Sequence, residues 1–297
     1  MWRVDPLDYY RERGWNLTIN TKLLNFTELD LHYNDVHQSS QGVVTDYAVF
    51  SPEDPQRPNP SIADGRLRSF SGTLSYDSRP LLRSAGQDYY FQMLLHTRIS
   101  VSAEISDPRW VASDFDFRRY SFRIERRDRL LNWGLTTITV AGGIATGAVP
   151  AQREFIVDFG MKAPLGVDAG LLPPSFQRGG FNTLNRVNFG GTRALLLTVR
   201  HDFDRLLFAK SGIPFIRSLP FTLNVHAGAF WTDFANHPAT LPDSSLLEAR
   251  TPYAEVGFGL GNLTPFLSPL NCAARFTWQL SSYPTRGFSF FVTLRAP

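Results

Sequence analysis

The sequence predicts an all-β chain that crosses a membrane as an antiparallel up-and-down β-barrel. Three observations carry that expectation. Helical periodicity is almost absent, and apolar and polar residues instead alternate in segment after segment. Several of these segments exceed the usual strand of about five or six residues and approach the roughly 9–11 that cross a bilayer. Aromatic residues gather near segment ends (Tyr89, Tyr90, Trp133, Trp231, Tyr253, Tyr283), where a membrane-interface girdle would lie.

Twelve alternating segments are predicted: 15–24, 27–35, 67–77, 88–102, 115–126, 131–141, 153–160, 192–203, 220–232, 252–261, 272–281 and 287–295. Their faces differ in kind. In 118–125, Arg118, Tyr120, Phe122 and Ile124 oppose Arg119, Ser121, Arg123 and Glu125. In 252–260, Ala254, Val256, Phe258 and Leu260 oppose Tyr253, Glu255, Gly257 and Gly259. In 272–281, Cys272, Ala274, Phe276, Trp278 and Leu280 oppose Ala273, Arg275, Thr277, Gln279 and Ser281. A soluble sandwich also alternates. Here, though, the polar faces mix Arg with Glu, Ser, Thr and Gln, as a wet, cross-paired lumen does. An arginine facing lipid at mid-depth costs roughly 2–4 kcal/mol. Arg119, Arg123, Glu125 and Arg275 are therefore expected to face inward, with Arg200 and Asp202 paired on the inner face of 192–203.

Between segments, RRDRLL (126–131) and SYPTRG (282–287) read as tight turns. The Pro-rich 51–65 and the polar 231–245 read as long loops. The stretch 206–220 is apolar enough for a short interfacial helix. The longest patternless connection is 161–191, and irregular segments of that size are usually functional or disordered. No linker divides the chain, so the expected organisation is an N-terminal tail at 1–14 and a barrel at 15–297.

Composition narrows the function. The chain has 297 residues, 43% hydrophobic and 13% aromatic, with 24 Phe; mean hydropathy is −0.18. No apolar run reaches the roughly 18 residues of a spanning helix, and the N-terminus has no apolar signal core. The first residues thus read as those of a cytoplasmic protein, a mature form or a fragment. One cysteine, Cys272, rules out an internal disulfide. Three lysines stand against 27 arginines, a bias suited to cations paired in confined places. The arginines are dispersed and nearly balanced by 27 acids, which speaks against nucleic-acid binding. GGIATG (142–147) lacks the Lys-Ser/Thr of a phosphate loop and reads as a turn. The six histidines show no metal-ligand spacing, so neither metal nor cofactor is expected. A lumenal or interfacial lipid hydrolase would need His96, His201 or His226 as base, and no G-x-S-x-G nucleophile elbow occurs. A non-catalytic role is the expectation.

LPPSFQRGGFNTLNRVNFGGTRALLLTVRHDF (172–203) resembles the loop-and-strand signature of the BamA/TamA-type outer-membrane barrel superfamily, the bacterial surface antigen type. FNTLNRVNFGGTR is most similar to an uncharacterised branch, often fused to a carboxypeptidase-regulatory-like domain. YAEVGFGLGNL (253–263), RPNPSIADGRLRSFSGTLSYDSR (57–79) and GGIATGAVPAQREFIV (142–157) resemble the same branch. The resemblance implies a Gram-negative outer-membrane protein acting in polypeptide insertion or translocation, or the barrel part of a larger surface-exposed protein. A passive pore or a membrane anchor for a fused domain is the alternative. The partners implied are the lipid bilayer, the outer-membrane assembly machinery and a polypeptide client. The superfamily barrel has about sixteen strands, so the twelve here would be its C-terminal part, unless this branch closes with twelve. The resemblance also implies a loop arginine reaching into the lumen to an aspartate, for which Arg178 or Arg186 and Asp233 are the candidates. Thr285, Gly287, Phe290 and Val292 fit the C-terminal β-signal read by the assembly machinery.

Overall fold

The structure, a computed structural model, describes residues 10–42, 62–84, 87–90, 95–130, 133–157, 181–184, 189–235, 246–263, 271–285 and 287–295. Alternation dictates its architecture. Eleven strands hydrogen-bond into one antiparallel sheet, each beside its neighbour along the main path of the chain. They are β1 (Tyr10–Leu24), β2 (Thr27–Ser40), β3 (Gly65–Asp77), β6 (His96–Ser106), β7 (Phe117–Asp128), β8 (Leu135–Gly147), β11 (Arg193–Asp204), β12 (Thr222–Asp233), β13 (Tyr253–Gly261), β14 (Asn271–Gln279) and β15 (Phe288–Arg295). Two small strand pairs stand apart: β4 (Leu81–Ser84) with β5 (Gln87–Tyr90), and β9 (Phe155–Val157) with β10 (Phe189–Gly191). Among the described residues the two edge strands, β1 and β15, are not paired with each other.

Away from the rims, period two sorts the side chains. Leu17, Leu31, Phe70, Val101, Phe122, Ile144, Leu197, Val225, Val256, Trp278 and Phe290 are exposed large hydrophobics, all on the outer face. Cross-strand registers align them, as with Val101 opposite Phe122 and Val256 opposite Trp278. Hydroxyls, amides and charges occupy the inner face. Thr73 bonds Ser102 at 2.8 Å and Ser69 donates to Glu104 at 3.0 Å. A sheet apolar outside and hydrogen-bonded inside is the inverse of a water-soluble sandwich, and it suits a lipid surround.

The two ends of the sheet differ. One end carries the turn at 25–26, and α1 (Leu206–Ala209) with α2 (Pro214–Ser218), where the sequence places a short helix. The other end carries 41–64, 107–116, the connection between β8 and β11, and 234–252. Buried apolar clusters occur at this long-loop end. One joins Val36, Leu67, Phe115, Phe117, Val149 and Phe155. The other joins Val157, Phe181, Leu184, Phe189, Phe230 and Tyr253.

Several expected boundaries move. β1 begins at Tyr10, inside the expected tail. The expected strand 88–102 is two elements: β5, paired in its own hairpin with β4, and β6, which starts at His96. The expected strand 131–141 is shifted to 135–147. The expected strand 153–160 does not join the main sheet. Only Phe155–Val157 pairs, with Phe189–Gly191, because Phe155 and Val157 each turn into a buried cluster.

Candidate functional site

The site lies on the inner face at the long-loop end, where part of the β8–β11 connection is held against β12 and β13. Alternation in β13 puts Tyr253, Glu255, Gly257 and Gly259 on this face. Glu255 is 3% exposed. A carboxylate so buried is costly unless its lone pairs are filled. Four residues of the connection, Phe181–Leu184, supply the donors. The Asn182 backbone N–H donates to Glu255 Oε1 at 2.8 Å and Oε2 at 3.0 Å, and its Nδ2 donates at 3.3 Å. The Thr183 backbone N–H donates at 3.0 Å and its hydroxyl at 2.7 Å. The Tyr253 hydroxyl donates in turn to Thr183 Oγ1.

Packing around this carboxylate is aromatic. Phe181 meets Phe230 edge-on at 4.7 Å, and Phe230 stacks on Tyr253 at 4.8 Å. Phe189 closes the group against Phe230 at 5.4 Å and Tyr283 at 5.3 Å. Gly228 makes room for the loop: a Cβ there would lie 2.7 Å from Phe181 Cε1. Gly257 is as tight, since its Cβ would lie 2.1 Å from the Phe276 carbonyl oxygen and 2.6 Å from His226 Nε2.

A second contact closes the neighbouring sector. Phe155 lies over β8, where a Cβ on Gly143 would meet its Cζ at 2.3 Å. The Arg119 guanidinium sits 4.4 Å from the Phe155 ring centre, a cation–π contact. Arg153 reaches Glu104 at 3.9 Å. Gln152 ties this turn to the rim through Gln38 Oε1 and the Ala63 carbonyl, both at 3.0 Å.

The registers put Arg119, Arg123, Glu125, Arg200, Asp202 and Arg275 on the face opposite the exposed hydrophobics. Arg123 meets Glu125 at 3.5 Å, with His96 Nε2 3.6 Å from the same carboxylate. Arg200 pairs with Asp202 through Nε at 2.9 Å and Nη2 at 2.7 Å. Arg275 is opposite Gly259 on one side and Phe291 on the other. Arg178 and Arg186 lie outside the described residues. Asp233 is not an inner-face acceptor, because odd residues of β12 point outward. It faces Arg193 at 3.9 Å and Arg250 at 4.0 Å on the outer rim. Among the described residues, the inner-face acceptor for the 181–184 segment is Glu255. Its signal in the sequence is an acid followed by two glycines on one strand face, which gives loop backbone room to approach.

Thr285 and Gly287 precede β15: the Thr285 hydroxyl donates to Gln279 Oε1 at 2.6 Å, and the Gly287 carbonyl accepts from the Gln279 N–H at 2.9 Å. Phe290 and Val292 face outward. The three histidines considered for hydrolysis are dispersed. His96 and His226 are on the inner face, His226 bonding Thr277 at 3.0 Å. His201 is on the outer face, bonding Thr136 at 2.7 Å. Among the described residues no group of three His, Cys, Asp or Glu could hold a metal ion.

No protein-family model matches the chain, and no curated protein sequence matches it. Among solved structures it is similar to BamA from Haemophilus ducreyi lacking POTRA domains 1–3. The TM-score is 0.54 at 13% identity, over 96% of this chain and 55% of that one. The chain thus spans about half the length of that neighbour. Acinetobacter baumannii OccAB3 also aligns, with a TM-score of 0.32 at 13% identity, over 97% of this chain and 69% of that one. The outward apolar face, the polar inner face and the likeness to BamA together give the chain the fold of an outer-membrane β-barrel, with its sheet open between β1 and β15 among the described residues.

Proposed function

We propose that the chain is an outer-membrane protein of the BamA/TamA type, close to the branch fused to carboxypeptidase-regulatory-like domains. In this reading it supplies the barrel for inserting or translocating polypeptide at the outer membrane. The observation that carries it is the clasp on Glu255. The resemblance implies a loop entering the lumen five strands before the C-terminus. The connection held by Glu255 is followed by five strands of the main sheet, β11 to β15. The role is one of binding and bracing rather than bond chemistry. Its partners are the bilayer, the assembly machinery and an unfolded polypeptide.

A passive pore has the same fold. The translocation reading is preferred because buried apolar clusters and the Glu255 clasp occupy the end where a passive channel needs water. Reconstitution into liposomes tests it. The protein is expected to speed the folding of a urea-unfolded small β-barrel added from outside, and Glu255→Ala to reduce that effect. A large, steady single-channel conductance with no effect on client folding would establish the pore and remove the translocation reading.

A further inference from the structure

The outer face of β1, β2 and β3 is graded from the long-loop rim downward, and the registers give the grading row by row. The rim row is Arg13, His37 and Arg66, directly opposite one another across three strands. Below it come Trp15, Asp35 and Arg68, then Leu17, Tyr33 and Phe70, then Ile19, Leu31 and Gly72. Adjacent strands lie about 4.8 Å apart, so the basic row spans roughly 10 Å. Two arginines flank His37 in a row that contains no acid, an arrangement complementary to an external anion.

Three acids lie nearby, each holding a partner within the rim. Asp35 accepts Arg66 Nε at 2.7 Å and Nη2 at 2.9 Å, and Arg68 Nε at 3.2 Å. Asp114 accepts the Arg66 backbone N–H at 2.6 Å, and Asp64 accepts that of Ser40 at 2.5 Å. Asp35 takes two of the five guanidinium N–H groups of Arg66, which leaves three on a side chain 51% exposed. The pair thus orients Arg66 without using it up. His37 Nδ1 donates to the Gly65 carbonyl at 3.1 Å, which fixes its ring in the row. Arg68 donates to the Val111 and Ala112 carbonyls, both at 3.3 Å, and so holds the loop that carries Trp110. Trp110 stacks on Phe70 at 5.5 Å, and the aromatic run continues through Tyr33 at 4.7 Å to Trp15 at 5.3 Å.

We propose that this rim binds the phosphorylated headgroup of an anionic lipid, with the acyl chains lying on the aliphatic rows of β1–β3. On the far rim, Arg193 and Arg250 stand with Asp233 and Glu248 within ion-pair distance, with no row of basic residues across adjacent strands among the described residues. The proposal rests on the outer-membrane reading, because it needs the apolar rows to lie in a leaflet.

The test uses the full chain folded in detergent, with heat-modifiable gel mobility measured first. Native mass spectrometry then counts retained bis-phosphorylated lipid A against dephosphorylated lipid A and phosphatidylcholine. The wild type is expected to retain the bis-phosphorylated lipid selectively. An arginine near an anionic surface contributes about 1 kcal/mol, or roughly fivefold. The double variant Arg13→Gln with Arg66→Gln should therefore lose about tenfold or more in retention. Arg13→Gln with His37→Gln keeps the Arg66–Asp35 pair and should still weaken retention, whereas Arg193→Gln should not. Equal retention by wild type and both double variants would overturn the site while leaving the membrane reading intact. So would displacement by millimolar inorganic phosphate, which would mark a free-anion site. A chain that stays soluble and unmodified by heat would overturn both readings.

Discussion

Glu255 concentrates the cost and the benefit of the inner-face site in one carboxylate. Its donors are two backbone amides, one side-chain amide and one hydroxyl, so removing it leaves several buried donors unmet. Hydrogen bonds to a charged group contribute about 1.5–3 kcal/mol each, and breaking such a buried arrangement costs about 3–5 kcal/mol. Glu255→Ala should lower stability by that order in urea titrations of the detergent-folded protein. Gly228→Ala tests the same contact from the opposite wall, since its methyl would displace Phe181. A cost of about 1–3 kcal/mol is expected, with the 181–184 segment becoming sensitive to protease. The sequence shows that Glu255 lies on a polar face. It does not show that backbone amides 72 and 73 residues away will seek it, because no residue pattern encodes an amide as a donor to a distant side chain. Asp233 was legible as charged, but its strand parity puts it on the outer rim with Arg193.

At the level of the strand, alternation alone orders the sheet. Leu197 and Thr198 are neighbours in β11, yet one faces outward and the other inward. Leu197→Arg should cost about 2–4 kcal/mol in lipid, where Thr198→Arg meets a polar surface and should cost much less. Unfolding of the two variants in lipid vesicles measures the difference, and equal effects would contradict the assignment of faces. Eleven of the twelve expected strands take their place because each repeats the period for most of its length. The exception, 153–160, alternates too briefly: three residues pair, and their buried side chains serve loop packing. Likewise 88–102 hides a hairpin at its start, since Tyr89 and Tyr90 extend the same pattern without crossing anything.

For the molecule as a whole, the division between an apolar exterior and a polar interior makes the solvent part of the fold. The chain should partition into detergent and migrate differently on gels before and after heating, and behaviour as a water-soluble monomer would contradict the architecture. The class of fold was legible from composition and period because lipid imposes both. How the sheet is filled was not, because the filling comes from irregular segments whose packing depends on the finished curvature. That dependence sets an order in time. The donors of the clasp precede β11 in the chain, while Glu255 belongs to β13, so the two meet only after β11, β12 and β13 have paired. The clasp is therefore expected to form late, after the rate-limiting step of insertion. Stopped-flow measurements on Glu255→Ala should show insertion at the wild-type rate and escape from the folded state markedly faster, so that its contribution is to the protein's lifetime in the membrane rather than to its arrival there.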